Sequence, residues 1–275
     1  MLIELRLELM KLLRKPRTYL GPAGMVLLIA LGLVAMKFGN EFQYMYERLA
    51  RDFIISGSFV NAAFLARFML LEFVVFMFLP LSACLVFGDL IASEAADGTL
   101  RALLCRPVTR TSVAVSKYIV GALYVFALTL GTGVAAYLVG TTFLSRGSLL
   151  TFYEGIWILP ERTAIVRLAL TYGLVAFGML AVGSMAFAIS TFLSNSNGAV
   201  AGAMGVVIIS GIVEQIEYFA RLRPYLLTPY LEVERYFTGT LDLHMLIKSV
   251  LVMLAYSAVG LIVGLAIFRR RDVLS

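Results

Sequence analysis

Six apolar runs divide the chain: Tyr19–Met36, Phe68–Phe87, Val113–Leu144, Ala164–Leu193, Gly198–Val213 and Ser249–Phe268. A helix needs about 20 mostly apolar residues to cross the hydrocarbon core of a bilayer. The third and fourth runs exceed that, so their ends project, while the fifth is short and borrows from Asn197 or Glu214. Lipid offers no hydrogen bonds to an open backbone, so each run predicts a helix rather than a strand. No fixed-period repeat and no linker interrupts the series. The pattern predicts an all-α membrane protein with six transmembrane helices in one domain over 18–275, preceded by a distinct segment over 1–17.

That first segment, "MLIELRLELMKLLRKPR", has the period of an amphipathic helix. At 100° per residue, Glu4, Glu8, Lys11 and Lys15 fall on one narrow face. Leu2, Leu5, Leu9, Leu12 and Leu13 cover the other, with Arg6 as the exception. Pro16 ends the helix, because it lacks a backbone donor and clashes with the preceding turn. The expectation is an interfacial helix over 1–17, lying along the inner membrane surface with its bases toward anionic headgroups.

Composition sharpens the class: 61% of the 275 residues are hydrophobic and 15% charged, against about half and a quarter in a soluble domain. The net charge of +6 fits lipid rather than nucleic acid once its distribution is read. With the N-terminus inside, the inner pieces (1–18, 89–117 and 269–275) hold twelve basic and six acidic residues, and the outer pieces hold eleven of each. The excess of Lys and Arg marks the cytoplasmic side. Both termini are therefore expected there, in a multi-pass protein of a prokaryotic cell (inner) membrane.

Little in the chain suits catalysis. Cys84 and Cys105 form no disulfide framework, and the single histidine, His244, leaves no zinc spacing. A phosphate-binding P-loop needs a Gly-Lys step, and none of the five lysines follows a glycine. The chain is therefore expected to be no enzyme and to bind no cofactor or metal itself. Two ionisable residues are intramembrane candidates: Glu72, about one turn inside the second run, and Arg167, at an outer helix end. Pairing across helices competes with snorkelling of each to the interface, and snorkelling is favoured here.

One charged interruption stands out. In 88–112, "LIASEAAD" continues the second helix inward, Gly98 tolerates the left-handed conformation that ends helices, and Thr99 is a plausible N-cap. Leu100, Leu103 and Leu104 then share one face, Pro107 stops the short helix, and Thr111 or Ser112 caps the third run. Six residues do not hold a helix alone, so the leucine face needs a surface: the headgroup region or a groove on a partner.

The pattern Glu94, Gly98-Thr99-Leu100, Leu103-Leu104, Pro107, Arg110 and Lys117, with Asp97 in its lead-in, resembles the first cytoplasmic loop of ABC-2 type transporter permeases. The segment 214–248, through Pro229, Tyr230, Phe237, Gly239 and Leu241, is similar to permeases of the nitrous-oxide-reductase-maturation type. The resemblance implies a cytoplasmic coupling helix in 88–112 resting on a separate ABC ATPase subunit, which would bind ATP and Mg. It also implies a second permease copy or sister permease as partner, an outer surface over 214–248 made of short interfacial helices, and export as the activity. An extracytoplasmic protein is a further candidate partner; nucleic acid is not. Force transmission to such a protein, or a structural scaffold, are the alternatives. The fifth run's Gly198, Gly202 and Gly205 and the third run's Gly121, Gly131, Gly133 and Gly140 are expected to allow close helix approach.

Overall fold

A computed structural model of the chain describes residues 2–39, 60–71, 73–96, 109–151, 157–193, 195–237 and 242–270. Its elements are α1 (Leu2–Arg14), α2 (Leu20–Phe38), α3 (Ala62–Phe68), α4 (Leu79–Ala96), α5 (Arg110–Phe143), β1 (Leu149–Thr151), β2 (Trp157–Leu159), α6 (Glu161–Phe192), α7 (Ser196–Gln215) and α8 (Leu243–Arg270). Six helical stretches, Pro16–Phe38, Phe73–Glu94, Arg110–Phe143, Glu161–Phe192, Ser196–Gln215 and Leu243–Arg270, are long and apolar enough to cross a membrane. The chain is an all-α multi-pass membrane protein with one departure among the described residues, the short antiparallel ribbon β1–β2, three residues to a strand, in the register Leu149↔Leu159, Leu150↔Ile158 and Thr151↔Trp157.

Burial separates centre from rim. In the most apolar stretch of α4 and of α6, 72% and 61% of residues are buried, against 28% for α2, 28% for α7 and 22% for α8. The rim helices turn Val26, Leu27, Leu31, Ile208, Ile209, Ile212, Leu251 and Ile262 outward, as expected where the surrounding solvent is lipid. Small residues set the closest approaches. A Cβ at Gly260 of α8 would stand 2.7 Å from the Ser184 backbone of α6, and one at Gly140 of α5 would stand 2.6 Å from the Ala62 Cα. The α5 glycines thus serve packing within the chain, except Gly131, whose Cβ would meet nothing within 4 Å. The α7 glycines differ from expectation: Gly202 and Gly198 allow only ordinary contacts, and Gly205 faces open space.

The second span begins at Phe73 rather than Phe68, because Phe68 closes the separate helix α3 and the chain then enters a π-helical stretch, Phe73–Phe78. It also runs past Phe87 to Glu94, and the ion pairs described below are what allow Asp89 and Glu94 to stay in a packed helix. At the start of α5 the cap is Thr109, whose side chain accepts from the Ser112 N–H at 3.2 Å, in place of the Thr111 or Ser112 expected.

At the end of the bundle remote from α1, Asn61 caps α3 by accepting from Phe64 N–H and donates from Nδ2 to the Ser148 carbonyl at 2.7 Å. Three 3₁₀ turns, Glu217–Tyr225, Thr228–Leu231 and Glu234–Phe237, cover this end. Short helices are as expected, but the interfacial placement holds only in part. Tyr218 and Tyr225 are exposed, whereas Leu231, Tyr236 and Phe237 are core residues.

Candidate functional site

The largest concentration of charge inside the described residues lies where α1 crosses the ends of α4, α5 and α7. Lys117, about two turns into α5, is 1% exposed. Its ammonium sits 2.7 Å from Glu8 Oε2 on α1 and 2.7 Å from Glu94 Oε1 on α4. Lys11 closes the group from the wetter side, 2.8 Å from Glu8 Oε1 and 3.0 Å from Glu94 Oε1. One turn deeper, Asp89 of α4 accepts from Lys15 at 2.6 Å, from the Ser196 hydroxyl at 2.8 Å and from Arg17 at 3.4 Å, and Arg17 also reaches Ser196 at 3.2 Å. Ser93 accepts from Lys15 and donates to the Asp89 carbonyl. Ser112 donates to Glu4, which fixes the first turn of α1 to the start of α5.

Sequence spacing explains the arrangement. Glu4, Glu8, Lys11 and Lys15 recur at i, i+4, i+7 and i+11, which keeps them on one face, and Pro16 turns the chain so that Arg17 continues the same row. The expectation that this face meets anionic headgroups is corrected: it is turned into the protein. Two carboxylates on it would be repelled by an anionic surface but match the mixed charges of α4 and α5. The outward face carries Leu7, Leu9, Met10 and Leu13, all exposed, together with Arg6 and Arg14. Leu12, by contrast, is buried against Val86 and Val120.

Electrostatically, Lys11, Lys15, Arg17 and Lys117 face Glu8, Asp89 and Glu94, a formal charge of +1. Burial opposes the charge on Lys11, yet the hydrogen bonds to Glu8 and Glu94 and the attraction of both carboxylates outweigh it and hold its pKa above the usual lysine value. A small cavity of about 30 Å³ within the cluster has room for a water or two. A net-positive site with its carboxylates already spoken for does not suit a cation, and among the described residues no group of His, Cys, Asp and Glu could hold a metal.

Of the residues picked out by the loop pattern, Glu94 and Lys117 are brought into contact. Arg110 opens α5 in a half-buried position, apart from them. Asp97, Gly98, Thr99, Leu100, Leu103, Leu104 and Pro107 lie outside the described residues, as does Glu72. Arg167 corrects the expectation of a snorkelling side chain. It is 6% exposed and donates from Nη1 to the Tyr236 carbonyl at 3.3 Å, because the turn Glu234–Phe237 folds over it. Arg67 meets the same turn, its guanidinium 5.5 Å from the Phe237 ring centre. The cluster members Glu8, Lys11, Lys15, Arg17, Asp89 and Ser196 were not singled out as a site by sequence. The alternation of acids and bases on one α1 face was the available signal.

A family model described as a protein of unknown function, DUF2705, matches residues 25–274. The chain belongs to that family. The matched range takes in Asp89, Glu94, Lys117 and Ser196, and begins after α1. A Bacillus subtilis (strain 168) protein, "Uncharacterized protein YhcI", is 29% identical over 199 residues, covering 69% of this chain and 63% of that relative's length. The match therefore spans less than two thirds of the relative. Neither description names an activity.

Proposed function

We propose that this DUF2705 chain is the transmembrane permease subunit of an ATP-driven exporter of the ABC-2 type, driven by a separate ATPase subunit. The observation that carries the reading is the Glu94–Lys117 contact. It joins the helix that enters the loop 97–108 to the helix that leaves it, and α1 locks both, through Glu8 on Lys117 and Lys11 on Glu94. A loop that receives a push from a partner ATPase needs such rigid flanks if the push is to move the spans rather than bend their ends. In this reading α1, the loop and the start of α5 are cytoplasmic, and both termini lie there, consistent with the positive excess in those pieces. ATP and Mg belong to the partner, and a second permease completes the pathway. The open α7 glycines are a surface on which that second copy can approach closely.

A second reading, force transmission to an extracytoplasmic protein, is favoured by one feature. The segment over the remote end is tied to the central helix through buried Arg167 and to the ribbon through Thr151 Oγ1, which donates to the Phe237 carbonyl at 3.4 Å. It would therefore move with α6. Reconstitution of the chain with a candidate ABC ATPase separates the two. Export predicts stimulated ATP hydrolysis together with vesicle flux of the cargo, force transmission predicts stimulation without flux, and a scaffold predicts neither.

Orientation is checked separately. A cysteine at Gly155 is expected to react with an impermeant maleimide added outside intact cells, and one at Ser93 or Ser275 is not. Asn61, the other outer position offered by sequence, is buried and is no test site. Labelling of the Ser93 variant from outside would overturn the orientation and the coupling role together.

A further inference from the structure

The contacts of α1 run in two rows. Glu4, Glu8 and Leu12 meet Ser112, Lys117 and Val120 of α5 in rising order. Lys11 and Lys15 meet Glu94 and Asp89 of α4 in falling order. α1 therefore lies parallel to α5 and antiparallel to α4, along the groove between them. Its apolar seat is small: Leu12 with Val86 and Val120, edged by Leu5 and Tyr124, in a cluster separate from the main core. Leu7, Leu9, Met10 and Leu13 stay exposed when α1 is seated, so charge carries much of the attachment.

The pairs are arranged so that α1 can leave without stranding a buried charge. Lys117 keeps Glu94 at 2.7 Å. Asp89 keeps Ser196 and Arg17, and Arg17 belongs to the 3₁₀ turn Pro16–Tyr19 beyond α1. Glu8 leaves with a counter-charge of its own, Lys11 at 2.8 Å. A pivot is built in as well. Lys15 is extended (φ −82°, ψ 125°), as a residue before proline prefers, and Pro16 has no donor to join α1 and α2 into one rod. The hydroxyls of Thr18 and Tyr19 donate to the Leu12 and Leu13 carbonyls, so the last turn of α1 is tied and opening starts from its N-terminal end.

We infer that α1 is a releasable strap. Seated, it bridges the helices on either side of the loop 97–108; released, it frees those helix ends to move apart. The inference concerns how α1 is held and stands whether or not an ATPase binds the loop. Salt is the natural lever, because screening shortens from about 10 Å at 0.1 M to about 3 Å at 1 M, and the Lys11 and Lys15 side chains are 45% and 39% exposed. The exposed leucines, with Arg6 and Arg14 beside them, give the released helix a bed at the headgroup level of the bilayer.

The test is hydrogen exchange, read by mass spectrometry, on the full chain in nanodiscs of phosphatidylcholine, which carries no net charge. Between about 0.1 M and about 1 M salt, protection of the α1 amides should fall about tenfold. Amides 90–96 and 110–118 should lose protection with it, while 121–135 of α5 keep theirs. Glu8→Gln with Lys11→Gln removes both ion pairs to Lys117 and Glu94 yet leaves those two paired. This variant should show weakly protected α1 amides at both salt concentrations, with a thermal midpoint close to that of wild type. Salt-insensitive α1 protection in wild type, or a loss shared equally by 121–135, would overturn the proposal. So would flanks 90–96 and 110–118 that keep full protection after α1 has lost its own, or a double variant protected as wild type is. Unprotected α1 amides in wild type at both concentrations would overturn it too, since α1 would then never be seated.

Discussion

Lys117→Met is expected to destabilise the folded protein by about 3–5 kcal/mol, the usual cost of removing one partner from a buried ion pair. Lys117 is 1% exposed and holds Glu8 and Glu94 at 2.7 Å each. Its removal leaves two carboxylates, nearly as buried, sharing the ammonium of Lys11. That ammonium cannot replace it, since the Lys11 side chain is 45% exposed and pairs in such a setting contribute at most about 1 kcal/mol. Lys11→Met should therefore cost far less than Lys117→Met, although the two lysines pair with the same two carboxylates. The triple variant Glu8→Gln, Glu94→Gln, Lys117→Met removes the charges together. It should recover most of the loss, because no buried charge is left stranded and the remaining Lys11 ammonium, on a side chain 45% exposed, is reached by water. Thermal unfolding of the purified chain in detergent reads all three. A Lys117→Met midpoint equal to that of Lys11→Met, or a triple variant no better than the single, would mean that the cluster is solvated and does not clamp α1.

The second large effect concerns the loop that the cluster flanks. If Leu100, Leu103 and Leu104 dock on an ATPase, Leu103→Asp with Leu104→Asp should weaken that attachment roughly a hundredfold or more. Burying one leucine is worth about 1.5–3 kcal/mol, a carboxylate in an apolar groove adds a penalty, and about 1.4 kcal/mol is tenfold in affinity. The control must be chosen with the fold in view. Leu149 and Leu150 belong to the outer loop by sequence, but both are buried in the ribbon, so aspartate there would test folding instead. Leu222→Asp, on an exposed turn at the same end, is the proper comparison and should leave the ATPase bound. Co-purification decides the matter. Undiminished recovery of the ATPase with the double variant would reduce the loop to an interfacial helix and leave the transport reading on resemblance alone.

Hydropathy made the six spans legible because lipid imposes one requirement everywhere, and their centres agree with the structure. Their ends were less legible, since an end is decided by whether a charged residue finds a partner. The continuation of the second helix past Asp89 was legible, but not the partners Lys15, Arg17 and Ser196 that hold that carboxylate inside the bundle. Arg167 looked like an interface residue for the same reason. Nothing local reveals that Tyr236, 69 residues later, returns to cover it. The α1 face shows how near the reading came: the periodicity was right and the environment was wrong, because amphipathicity reports that a face is polar without saying whether water, lipid or protein lies opposite.

The cluster also has an order in time. Glu8 and Lys117 are separated by 109 positions in the chain, and Lys11 and Glu94 by 83. At about 5–20 residues per second of synthesis, Glu8 waits on the order of 5–20 s for its counter-charge. During that wait α1 has only its leucines to hold it, and it can seat itself only after α4 and α5 have both arrived. α1 is thus fixed only after helices made later than itself, and its seating records that the helices on either side of the loop have been assembled in register.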